Sequence, residues 1–338
     1  MFRFFETLVD PFADHPVTDA PPSRLWPFLL SFVRPFRGVI IVTAVLKCAV
    51  AAFELALIWY MGRLVDLLAH ADRTTLLADH GTEFLLAAIA ILVVRTLVSG
   101  IDMALLHNTM LPNFGTMIRW RAHKHVLRQP VGWFENDFAG RLANRIMQAP
   151  SAANDAMFQI FDAVAFATTT LIGALVMMAQ ADWRLMLPLL AWISLYLGLM
   201  RWTIRRAGPA STASSEARSA ITGRVVDSYS NIHSVKMFAH HDRELAYATD
   251  TMRTARETLF REMRIITRMD VTLTFLNGAL IVSVTALAVW LWMQGQATVG
   301  LVAAATALVL RLNNMTYWIM WAMTTLVQSL GVVAEGMQ

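Results

Sequence analysis

The chain has 338 residues, 57% hydrophobic and 15% charged, with a mean hydropathy of +0.50. Soluble domains average about 45–50% apolar and about 25% charged residues, so this composition excludes a disordered chain and a small disulfide scaffold and argues against an ordinary soluble enzyme. A single cysteine, Cys48, cannot form an internal disulfide. The net charge of +4, in a chain this apolar, points to cytoplasmic loops and to no nucleic-acid partner.

Residues 1–24 carry Glu6, Asp10, Asp14 and Asp19 among several prolines. They lack the basic start and apolar run of a cleaved signal and read as a loose cytoplasmic N-terminal tail. Residues 25–35, with Trp26, Phe28 and Phe32 between Arg24 and Arg34, suit a helix lying among lipid head groups, ended or kinked at Pro35. Six apolar runs come after it, at about 39–61, 84–106, 157–180, 185–204, 271–293 and 298–330. Each approaches or exceeds the ~20 residues a helix needs to cross ~30 Å of hydrocarbon. The fold class is therefore all-α, an integral multi-pass membrane protein in contact with lipid.

Arg and Lys are unevenly spread: four in residues 1–37, six in 111–155 and twelve in 201–268, against only Arg63, Arg73 and Arg184 in the alternate connections. Positive charge marks the cytoplasmic side, which predicts that both termini and the insertions at about 107–156 and 205–270 are cytoplasmic. Both insertions are rich in helix formers and poor in breakers, best over 210–227 and 240–268. Residues 203–270 are predicted to form two antiparallel helical arms of ~30 residues, each reaching ~40 Å.

Charges inside apolar spans are costly and need a partner or a wet cavity. They are Lys47 and Glu54 in span one, Arg95 and Asp102 in span two, Asp162 in span three and Arg311 in span six. Spans one and two form an antiparallel hairpin, so residues at equal depth share a midpoint. Lys47 with Asp102, and Glu54 with Arg95, are both centred between residues 74 and 75. Each pairs opposite charges, and the seven-residue spacing puts both on one helix face, which predicts two intramembrane ion pairs. Substrate contact is the rival reading of these four residues. Arg311 with Asn313 and Asn314 is a candidate lining for a central cavity; an ion pair between Arg311 and Asp162 is the alternative. No catalytic set stands out. His123-Lys124-His125 and His240-His241 lack the i, i+3 or i, i+4 spacing of a helical metal site, so no metal site is expected. The twenty methionines and eleven tryptophans suit lipid contact and packing, with an adaptable apolar cavity as the alternative.

Six spans with long helical insertions after the second and fourth resemble the transmembrane domain of ABC exporters, over roughly residues 25–335. The first insertion places Trp133, Phe134, Glu135, Gly140, Leu142 and Arg145 where that family shows two aromatics, an acid, then glycine, leucine and arginine. The second contains Asp227-Ser228-Tyr229-Ser230-Asn231-Ile232-His233-Ser234-Val235-Lys236-Met237-Phe238, similar to the family's second coupling region, and Asp182-Trp183-Arg184-Leu185 also resembles it. Asp227 replaces a common glutamate, Asn231 a common glycine, and Gln148-Ala149-Pro150 departs from the usual helix. The resemblance implies that Trp133, Phe134, Glu135, Gly140, Tyr229, Ser230, Asn231 and Lys236 couple the arms to an ATPase domain. It also implies a second transmembrane domain, identical or different, in a bacterial-type plasma (inner) membrane. No lysine here comes after a glycine-rich phosphate-binding turn. The chain therefore holds no ATPase or cofactor site of its own. A nucleotide-binding domain with ATP and Mg is expected after residue 338 or on a separate subunit, with a fragment of a half-transporter favoured. An ATPase-independent carrier or channel is the rival function, and a non-transporting scaffold the third.

Overall fold

The computed structural model describes residues 2–13, 25–131, 139–237 and 241–336, and among them all regular structure is helical. A short helix α1 (Phe2–Glu6) precedes α2 (Leu25–Val33), a 3₁₀ turn at Arg34–Phe36 and α3 (Arg37–His70). After a tight turn come α4 (Leu76–Ile89), α5 (Arg95–Ala104) and α6 (Leu111–Val126), joined without a break by π-helical turns at Ala90–Val94 and Leu105–Met110. Helix α7 (Ala139–Gln159) continues through a third π turn, Ile160–Val164, into α8 (Ala165–Ala181). The remaining helices are α9 (Trp183–Ser230), the short α10 (Ile232–Met237), α11 (His241–Met293) and α12 (Val299–Gly336). Pro150 lies inside α7 and does not end it.

Six helical stretches are long and apolar enough to cross a membrane: Pro27–His70, Leu76–Val126, Gln148–Ala181, Trp183–Ser230, Leu245–Met293 and Val299–Val333. They contain the apolar runs read from the sequence, and most are much longer than the ~20 residues that hydrocarbon requires.

The chain divides into two compact units, one of Met1–Met186 with Val284–Gln338 and the other of Leu187–Ser283. In the first, α3 is central and packs on α12, α8 and α5, while α7 packs on α12 and α6. Its core gathers Leu29, Phe32, Phe36, Phe114, Met117, Met157 and Val333. The residues read as a head-group helix thus contribute Leu29 and Phe32 to a protein core, and Phe36 directly after them joins it. The α2 face carrying Leu29 and Phe32 packs on α6, while Leu30 stays exposed. Residues 2–13 are likewise not a loose tail. Phe5 is buried beside Ala104 and Leu105, Thr109 Oγ1 donates to the Phe5 carbonyl at 2.6 Å, and Asn113 Nδ2 donates to that of Glu6 at 3.1 Å. Phe5 alone supplies this burial; Phe2, Phe4 and Phe12 remain exposed.

The second unit is one hairpin. Trp192 Nε1 donates to Asn277 Oδ1 at 3.2 Å, and the Arg224 guanidinium lies 3.5 Å from the centre of the Tyr247 ring. Both contacts are centred on residues 234–236, as antiparallel arms closed by α10 require. At 1.5 Å per residue, α9 with 48 residues and α11 with 53 measure about 70 and 80 Å, so they run about 40 and 50 Å past a ~30 Å hydrocarbon layer.

Candidate functional site

Helix α3 carries two charged residues through the first unit, and each meets charges from two other helices. Lys47 Nζ stands 2.8 Å from Asp102 Oδ2 on α5 and 2.5 Å from Asp162 Oδ1 in the π turn before α8. Two helical turns along, Glu54 Oε1 accepts from Arg95 Nη2 at 2.5 Å and Nε at 3.1 Å. Glu54 Oε2 lies 2.9 Å from Arg311 Nη1 on α12. The structure therefore brings Lys47 to Asp102 and Glu54 to Arg95. Arg311 meets Glu54 rather than Asp162, whose carboxylate goes to Lys47.

Local backbone explains the register. Arg95 and Asp102 bracket α5, an unbroken α segment between two π turns, so their seven-residue spacing spans two regular turns and matches Lys47–Glu54 on α3. The turn at residues 71–75 is closed by Asp72, whose Oδ1 accepts the Thr74 N–H at 2.9 Å and its hydroxyl at 2.8 Å. Those two bonds hold the Asp72 carboxyl below the usual carboxylate range. A π turn adds a residue to a helix and rotates the side chains beyond it about the axis. Asp162 lies inside one such turn, and Arg95 directly succeeds another, so the irregular turns sit where charged side chains must be aimed.

The two clusters differ in access. Lys47 and Asp102 keep 10% and 3% of their side-chain surface, whereas Arg95 and Arg311 keep 41% and 34%. Asp102 Oδ1 is buried with no partner among the described residues, and so is Arg311 Nε. Asn314 is exposed and Asn313 partly buried, with Asn313 Nδ2 3.4 Å from Asn314 Oδ1.

A cavity of about 570 Å³ lies elsewhere in this unit, lined by Trp59, Arg63, Asp66, Met177, Met178 and Thr298 among others. Arg311, Asn313, Asn314 and Asp162 are not among its lining residues. Asp66 shapes it by capping α12: its Oδ1 accepts the Gly300 N–H at 2.7 Å and its Oδ2 accepts the Thr298 hydroxyl at 2.6 Å. The sequence reading missed Asp66. The available signal was a carboxylate near a span end together with Thr298-Val299-Gly300, a helix-start pattern. Here α3 and α12 cross at two glycines; a Cβ at Gly62 would come 2.7 Å from the Gly300 carbonyl oxygen.

The second unit carries the other predicted residues. Tyr229 and Ser230 end α9, Asn231 forms the turn and Lys236 lies on α10. Asn231 Nδ2 donates to the Asp227 carbonyl at 3.1 Å and to its Oδ1 at 3.0 Å, fastening the turn back on α9. Tyr229 and Met237 are 71% and 79% exposed, so the hairpin presents large side chains at its tip. Trp133, Phe134 and Glu135 lie outside the described residues, and Gly140 opens the first turns of α7. Among the described residues no group of three His, Cys, Asp or Glu is placed to hold a metal ion.

Six long apolar helices, a charged interior and a helical hairpin reaching far beyond the bilayer define a multi-pass membrane domain of the transporter type. Residues 40–330 match the family model described as the ABC transporter transmembrane region, and the chain belongs to that family. It is similar to an "Uncharacterized ABC transporter ATP-binding protein" of Haemophilus influenzae (strain ATCC 51907 / DSM 11121 / KW20 / Rd), with 32% identity over 340 residues. The alignment covers 100% of this chain and 55% of that protein, so the chain spans about half the length of the curated relative it matches.

Proposed function

We propose that this membrane-spanning ABC transporter domain works in export: it forms half of a translocation pathway, pairs with a second transmembrane domain, and is driven by nucleotide-binding domains against its cytoplasmic arms. The carrying observation is the α9–α11 hairpin, about 40–50 Å longer than hydrocarbon requires and tipped by exposed Tyr229 and Met237. A carrier without an ATPase has no use for such levers. The relative's name includes ATP binding and its length exceeds this chain's, which supports an ATPase portion, with ATP and Mg, on the same or a separate polypeptide. The coupling residues are Trp133, Phe134, Glu135 and Gly140 at one tip, and Tyr229, Ser230, Asn231 and Lys236 at the other.

The coupling test uses the transporter with its ATPase portion in nanodiscs. Tyr229→Ala and Phe134→Ala should leave the protein folded and still hydrolysing ATP, while a spin-label distance between the arms stops responding to ATP. An unchanged response in both variants would reduce these residues to ordinary surface aromatics. Both termini and both insertions lie in the cytoplasm in this reading, as the Arg and Lys distribution supports. In a Cys48→Ser background, cysteines at residues 75 and 230 should label from opposite sides of oriented vesicles; labelling from one side would contradict the topology.

A further inference from the structure

We propose that the Glu54–Arg95–Arg311 cluster binds the anionic head group of an amphipathic substrate. The inference rests on reading the chain as half of a translocation pathway and adds the chemical class of the molecule that passes through it.

Charge balance is the first reason. Two guanidinium groups share one carboxylate, which leaves one uncompensated positive charge in the span. The Lys47 cluster has the reverse imbalance, two carboxylates on one ammonium. It lies two helical turns away, about 10 Å, and that separation lets it offset the field without supplying any hydrogen-bond acceptor to the arginines.

Donor capacity is the second. Each guanidinium has five N–H donors, and the contacts to Glu54 use two from Arg95 and one from Arg311. Arg311 Nε is buried and has no partner among the described residues. Both arginines keep more than a third of their side-chain surface, while the carboxylate between them keeps 12%. The cations are the accessible part of the cluster. Planar forks of this kind take carboxylate, phosphate or sulfate through paired, charge-assisted bonds.

Depth selects the form of the ligand. Glu54 is about one turn past the middle of the apolar run 39–61. Head groups at their usual level sit ~15 Å from the midplane, half the ~30 Å core. Arg95 and Arg311 stand near the middle of their own apolar runs, 84–106 and 298–330, and both contact Glu54. An anion carried on a molecule that itself enters the hydrocarbon layer reaches this depth. Two turns along α12, Trp318 packs edge-on against Phe166 with ring centres 6.2 Å apart, a surface suited to an apolar tail.

The test measures tryptophan quenching in nanodiscs with no nucleotide, so it remains valid whether or not ATP-driven export is shown. The probes are 9,10-dibromostearate, its neutral methyl ester and a dibromo-phosphatidylglycerol. The variant is Arg311→Gln, which leaves Glu54 paired with Arg95 and the local charge at zero; gel filtration and melting temperature check its fold. Dibromostearate should quench saturably and bind about ten-fold tighter than the ester, the weight of one charge-assisted hydrogen bond. In Arg311→Gln the acid should fall to the level of the ester, and in Glu54→Gln it should bind tighter than in the wild type. Arg311-dependent quenching by the phosphatidylglycerol would also support the anion site and assign its occupant to a lipid. Equal binding of acid and ester by the wild type, or an acid–ester difference that survives Arg311→Gln, would overturn the proposal.

Discussion

Two antiparallel hairpins in this chain are held in different ways. In the first unit, α3 and α5 are joined by ion pairs seven residues apart, and each cluster recruits a charge from a third helix. In the second, α9 and α11 are joined within the membrane by a neutral bond, Trp192 to Asn277, beside the stacked Trp192 and Tyr196 rings. Ionic contacts fix register firmly because every alternative strands a charge in hydrocarbon. Neutral contacts hold more loosely, and a hairpin read as a moving lever gains from that. A rigid ionic spine and a more compliant arm suit a domain that must transmit displacement without losing its fold.

The largest expected effect comes from Lys47→Asp, which places three carboxylates together with no cation. Removing one partner of a buried pair costs about 3–5 kcal/mol, and reversing its charge costs more. The variant should be lost to aggregation on gel filtration in mild detergent, whereas Trp192→Phe in the other hairpin should remain monodisperse. Next is Gly300→Ala at the α3–α12 crossing. The new Cβ would meet the Gly62 carbonyl and, at 2.5 Å, Asp66 Cγ, and overpacking of this kind costs about 1–3 kcal/mol. The melting temperature should fall visibly, and the cavity beside the crossing should change shape.

Trp192→Phe ranks third. It removes one donor to Asn277, worth about 1 kcal/mol, and an aggregation loss like that of Lys47→Asp would mean that the neutral hairpin depends on its bond as much as the ionic one does on its charges. Asp72 is fully exposed in its turn and gives the smallest effect. Because its carboxyl is held below the usual carboxylate range, its contribution is complete at neutral pH and fades only as the pH falls through that lowered value. Asp72→Asn should therefore show a small deficit in melting temperature at pH 7 that closes as the pH falls through that lowered value; a deficit as large as that of Gly300→Ala would mean the turn bears more of the register than the ion pairs do.

The contrast between hairpins also marks how far the sequence was legible. Six spans and the long arms could be read because apolar runs and helix formers are local signals. The meetings of Lys47 with Asp102 and of Glu54 with Arg95 result from one short turn and equal depth. Their further partners, Asp162 and Arg311, were not assigned correctly. They lie 115 residues beyond Lys47 and 257 beyond Glu54 along the chain, so no shared turn relates the depths. Asp162 also lies in a π turn, which alters its facing by an amount that residue counting does not supply. The burial of Phe5 and Phe32 was missed for a related reason: the cover over an apolar stripe is decided by distant segments, here Ala104 and Leu105 for Phe5 and α6, with Arg121 over the ring, for Phe32.

The central claim is that the charges of α3 are register pins between helices, and a charge exchange tests it most directly. Lys47→Asp combined with Asp102→Lys keeps the charge count and moves the cluster's cation from α3 to α5, still beside two carboxylates. Gel filtration and thermal melting of the wild type, each single variant and the double variant in the same detergent give the answer. Both single variants should aggregate, while the double variant should elute as one peak and melt near the wild type. A double variant no better than Lys47→Asp alone would contradict the claim.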